Sequence, residues 1–89
     1  MAGATLACTW TVSVHIPWKV GPLRTTAIID VLTARFHGWS QRPGWRETVL
    51  SICSDAVDVS AVQAALGERG VTTGEANVTV QYARSWGML

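Results

Sequence analysis

The chain reads as an α+β domain: a two-layer sandwich of order βαββαβ, with two helices on one face of an antiparallel sheet. Three observations predict it. Residues 6–16 alternate without a break, with Leu6, Cys8, Trp10, Val12, Val14 and Ile16 on one side and Ala7, Thr9, Thr11, Ser13 and His15 on the other. A side-chain period of two is what a half-buried strand requires. A helical stretch follows, opened by Pro22 and closed by Gly38. The pattern of strand, helix and strand then returns over residues 45–86.

The first strand runs into Pro17-Trp18-Lys19-Val20-Gly21-Pro22-Leu23, a turn that opens a helix. Pro22 suits a first helical position, where its missing N–H costs nothing. The helix is predicted over residues 22–37, with Gly38 as a left-handed stop. On a helical wheel Ala34, Ala27, Val31, Ile28, Leu32, Phe36 and Ile29 span an arc wider than one sheet covers. Such a helix is expected to be buried on more than one side. Pro43-Gly44 marks a turn, and residues 39–41 are a candidate short strand that hairpins onto the next one. Residues 45–54 read as that strand. Asp58 suits the N-cap of a second helix over 59–69, which Gly70 ends. Val59, Val62, Ala65 and Leu66 give this helix a one-sided apolar stripe. The last strand spans 76–86, with Val78, Val80 and Tyr82 alternating against Thr79, Gln81 and Ala83. Right-handed crossovers make this order the ferredoxin-like sandwich. A three-stranded βαβαβ layout, lacking the short strand, is the alternative.

Residues 1–89 form a single domain on length alone. A chain of this size buries about 60–65% of its unfolded surface, so association with a partner adds needed stability. The composition is 48% hydrophobic and only 15% charged, against about 25% charged in an average domain. The shortfall predicts a surface covered by a second copy or a larger protein. Net charge is +1 and the basic residues are scattered, so nucleic acid is not an expected partner. No apolar run reaches membrane-spanning length, and a membrane is not an expected partner either. Cys8 and Cys53 sit in apolar, strand-like runs and are expected to be free buried thiols. With no signal-peptide pattern, the expected compartment is the cytoplasm.

With Leu6, Trp10, Val12, Leu50, Ile52, Val78 and Val80 turned to the helices, the other face carries Thr9, Thr11, Ser13, His15, Glu47, Val49, Ser51, Thr79 and Gln81. This face is polar yet nearly uncharged. Solvated sheet faces usually carry Lys and Glu. Thr9, Thr11, Ser13 and His15 are therefore candidate interface residues, although the β-propensity of Thr accounts for much of the pattern. RNA-binding sandwiches of this topology stack bases on open-face aromatics, and the first strand offers none there.

No phosphate loop is present, because Gly21, Gly38, Gly44 and Gly70 are isolated. Cys8, Cys53, His15 and His37 lack short metal-ligand spacing, so neither a metal nor a cofactor is expected. His15 could act as a general base if a pocket and an orienting partner, such as Glu47, stood beside it. Trp10 belongs to the core stripe. Trp18, Trp39, Trp45 and Trp86 lie at strand ends or in connections. There they are either lids over the sandwich or anchors of an interface.

The segment from Val12 to Leu23, with Gly21 in its turn, resembles the first strand and glycine turn of the ACT family of small regulatory, amino-acid-binding domains. Ile28-Ile29-Asp30-Val31-Leu32 is similar to that family's first helix, and residues 46–55 and 62–70 to its later strand and second helix. The resemblance implies a ferredoxin-like fold that pairs through sheet edges or helices. It also implies a small-molecule site at Gly21 and Leu23, where backbone N–H groups at a helix N-terminus can hold a carboxylate. Trp18 joins them as a candidate ligand-binding residue.

The function expected from all this is a non-catalytic interaction or ligand-binding module, a homodimer or part of a larger complex. The alternative is a cofactor-free enzyme of the dimeric α/β-barrel type acting on an apolar or aromatic small molecule. Its candidate catalytic residues are His15, Trp45, Tyr82 and Arg84. A third reading is an adaptor that docks on a larger protein through tryptophans exposed at one end.

Overall fold

The computed structural model describes residues 10–53 and 57–82. Thr9 and Arg84, with Cys8 and Trp86, lie outside them, and Tyr82 is placed by its backbone. In chain order the elements are β1 (Trp10–Pro17), a 3-10 turn (Trp18–Val20), α1 (Pro22–Arg35), β2 (Ser40–Arg42), β3 (Glu47–Cys53), α2 (Val59–Glu68) and β4 (Asn77–Tyr82). The strands form one sheet of order β2-β3-β1-β4, antiparallel at every pairing. The short strand therefore exists, which sets aside the three-stranded layout.

Alternation places the core. Val12 pairs with Ile52 and Val14 with Leu50, so the even-numbered residues of β1 and β3 share a face. They join Ile28 and Leu32 of α1 and Val62 and Leu66 of α2 in one buried cluster. Both helices thus cover the same face. The two-layer α+β arrangement follows from the period of two in the strands meeting the period of 3.6 in the helices.

Several local expectations need correction. Trp10 was expected in the core, yet it is 44% exposed, as is Val80 near it on β4. Trp10 pairs with Tyr82 and Val12 with Val80. They lie at the far end of the helix-facing side, where parity is right but the described part of neither helix seals them. α1 was expected to be buried over a wide arc. Only Ile28 and Leu32 are buried; Ile29 and Val31 are half-buried, and Ala27 and Ala34 are exposed. The helix ends at Arg35, short of His37, because Phe36 turns extended while its N–H still bonds Leu32 O. Gly38, at φ 100°, then takes the left-handed conformation. Asp58 occupies the N-cap position, but its carboxylate accepts from the Ser60 hydroxyl at 2.6 Å and caps no backbone N–H. Cys53 is disulfide-bonded, against the expectation of free thiols. The other cysteine of the sequence, Cys8, falls outside the described residues.

Candidate functional site

Two groups of side chains meet where β1 ends. The first lies on the sheet face away from the helices. Ser13 and Ser51 stand opposite each other in the register, and their hydroxyls are 3.0 Å apart. Ser13 is only 4% exposed although it lies on the open face, because its neighbours close over a small side chain. His15 bridges both flanking strands along the diagonals, where cross-strand side chains still reach each other. Its Nδ1 is 3.2 Å from Glu47 Oε2 on β3, and its Nε2 is 3.0 Å from Thr79 Oγ1 on β4. A carboxylate only accepts, so Nδ1–H donates to Glu47 and, in the neutral ring, Nε2 accepts from the Thr79 hydroxyl. This is the order carboxylate, imidazole, hydroxyl that activates a nucleophile in hydrolases.

Activation also needs a cavity and donors for developing charge. The central strand β1 offers no such donor beside His15, because it is paired on both sides and its backbone N–H groups are committed to the two ladders. A groove of about 390 Å³ lies against α1, lined by Ala27, Ile28, Val31 and Val71 together with Arg24, Arg35 and Arg69. It touches neither His15 nor Trp45. Among the described residues no cluster of three or more His, Cys, Asp or Glu is arranged to hold a metal.

The second group forms a tip. Trp18 N–H donates to Arg46 O at 2.8 Å, tying the turn after β1 to the hairpin between β2 and β3. The 3-10 turn closes with Gly21 N–H on Trp18 O at 3.1 Å, so that N–H is already committed within the turn. Gly21 itself sits at φ 91°, a conformation that favours glycine. The hairpin is equally tight: a Cβ on Gly44 would stand 2.8 Å from Glu47 O. These two turns carry Trp18 and Trp45, and the first turn of α1 carries Leu23. Their exposures are 72%, 96% and 88%.

The base of the tip is fixed by charge. Arg24, next to Leu23, grips Glu75 with two nitrogens at 3.0 and 3.1 Å. Thr72 N–H donates to the same carboxylate at 3.0 Å. Arg24 and then Thr72 hold the Glu75 carboxyl far below its ordinary range, at about 2. The latch joins the start of α1 to the loop that leads into β4.

Trp39 has a different setting. Its indole Nε1–H donates to Leu32 O at 3.0 Å, and its ring meets Phe36 edge to face with centroids 6.3 Å apart. It is a lid over the C-terminal end of α1 and packs against the core.

The predicted residues thus separate. His15 is brought to Glu47, the partner considered for it, and to Thr79, whose role needed the register of β4. Thr11 and Ser13 share the open face with His15. Trp18, Gly21 and Leu23 gather at the tip, and Trp45 joins them there rather than His15. The chain matches no protein-family model, no curated protein and no solved structure.

Proposed function

We propose that this chain is a non-catalytic interaction module that docks through the tip carrying Trp18, Leu23 and Trp45. The observation that carries this reading is the exposure of three large apolar side chains on adjoining rigid turns. A monomer gains nothing from holding them in water, and exposed apolar clusters mark interaction sites. Trp is also the residue most enriched among binding anchors. The open sheet face is a weaker candidate for the contact, because its hydroxyls and imidazole already satisfy one another.

The strand order, read as β4-β1-β3-β2, supports a ferredoxin-like arrangement. An ACT-like regulatory role and a homodimer remain compatible proposals. The dimeric-barrel enzyme is disfavoured by the separation of the groove from His15. No helix among the described residues is long and apolar enough to cross a membrane. The cytoplasmic reading rested on the lack of a signal-peptide pattern, and the disulfide at Cys53 favours an oxidising compartment instead.

Iodide quenching on single-tryptophan replacements tests the docking reading without any partner. Trp18 and Trp45 are expected to quench like free indole, and the double variant W18S/W45S to keep the native melting temperature. A tip shielded from iodide, or a fold lost with it, overturns the proposal.

A further inference from the structure

Resting on that reading, we infer that the partner of the tip is an anionic phospholipid surface. Both tryptophans of the tip are followed directly by a cation, as Trp18-Lys19 and Trp45-Arg46. The bond from Trp18 N–H to Arg46 O sets the two pairs side by side. Arg42, at the end of β2, lies next to the same hairpin. Among the described residues no carboxylate is bonded to Lys19, Arg42 or Arg46, while Glu47 is taken by His15 and Glu75 by Arg24. The tip is therefore aromatic and cationic, the pairing that settles at a membrane interface: indole at the level of the headgroups, ammonium and guanidinium on lipid phosphates.

The isolation of the side chains separates this occupant from a protein groove. An anchor in a protein interface needs a surrounding rim that excludes water. Trp45, 96% exposed, has almost no neighbours to build one. A fluid bilayer closes around each inserted ring by itself. Leu23, on the first turn of α1, adds a further exposed aliphatic side chain. The contact is peripheral, so the absence of a spanning run in the sequence does not bear on it.

Co-sedimentation of the full chain with phosphatidylcholine vesicles, with and without phosphatidylglycerol, tests the inference. Binding is expected only with the anionic lipid and is expected to weaken as salt shortens the screening length. W18S/W45S is expected to lower the partition coefficient by at least about tenfold. K19Q and R46Q are expected to lower it roughly fivefold each, about 1 kcal/mol per cation. W39F, which keeps an aromatic lid, is expected to bind as the parent does. Absence of binding at low salt overturns the inference, as does equal binding to both vesicles or binding that survives W18S/W45S. If the vesicles fail while the tip quenches freely and proves dispensable for folding, the docking module stands and its partner is a protein.

Discussion

Trp39 and Trp45 flank the same short strand, β2, and meet opposite fates. Trp39 donates to a helix-terminal carbonyl and packs on Phe36. Trp45 stands in solvent at the top of a hairpin. The difference lies in what the backbone nearby leaves open. α1 ends with carbonyls that have no helical partner. Leu32 O accepts from Phe36 N–H and uses its second lone pair for the indole. At the Gly44 hairpin Trp45 is 96% exposed, with no helix-end carbonyl or apolar surface closing on it. An aromatic at a strand end is thus a lid where a carbonyl with a spare lone pair and apolar surface are within reach, and a projection where they are not.

Truncation should break this comparison most strongly. W39A removes a hydrogen bond and a half-buried ring, so a loss of about 2–4 kcal/mol is expected. In a domain of this size each 1 kcal/mol is worth roughly 4–8 °C of melting temperature. W18A and W45A are expected to fall within about 0.5 kcal/mol of the parent, as exposed positions do. Thermal unfolding followed by circular dichroism compares the three. Equal losses at Trp39 and Trp45 would dissolve the distinction between lid and tip.

A smaller effect is expected from G44A. The added Cβ meets backbone at 2.8 Å, and no side-chain movement relieves that contact. The turn must open, at a cost of about 1–3 kcal/mol. Because Arg46 O holds Trp18 N–H, the strain should pass to both tryptophans. Amide exchange at Trp18 is the measurement, and faster exchange there is the expected result. Unchanged protection at Trp18 would mean that the two turns are not mechanically joined.

Much of the fold was legible because it rests on periodicity. The alternation of β1 and the stripe of α2 appear as read, and the ends of α1 and β2 moved by only a residue or two. What parity does not report is coverage. Trp10 has the right parity for the core and is still exposed, since burial depends on where the helices end. The wide apolar arc of α1 likewise became part of the lining of a groove and not a second buried face. Register was also beyond reach. His15 and Thr79 were both assignable to the open face, but their contact needs Ser13 opposite Thr79 on β4, a pairing that no local pattern encodes. At the tip, Trp18, Gly21 and Leu23 were singled out together. Their link to Trp45 depends on one backbone hydrogen bond between segments distant in sequence.

The gentlest probe of the tip is acid. Glu75 is held at about 2 in the folded chain, below the ordinary carboxylate value of about 4.3. A carboxyl lowered on folding contributes stability that is fully present above its unfolded value and lost as pH falls through the folded one. The Arg24–Glu75 latch should therefore weaken only between about pH 4.5 and 2. The pair is solvent-exposed, so screening keeps the effect small. Replacing the carboxylate by E75Q should lower stability slightly at neutral pH and flatten the fall over that window, while leaving the Trp39 end untouched. Melting curves recorded across the acid range for parent and variant give the comparison. Two parallel profiles would show that the acid sensitivity arises elsewhere, and that α1 is seated at the tip by packing rather than by this ion pair.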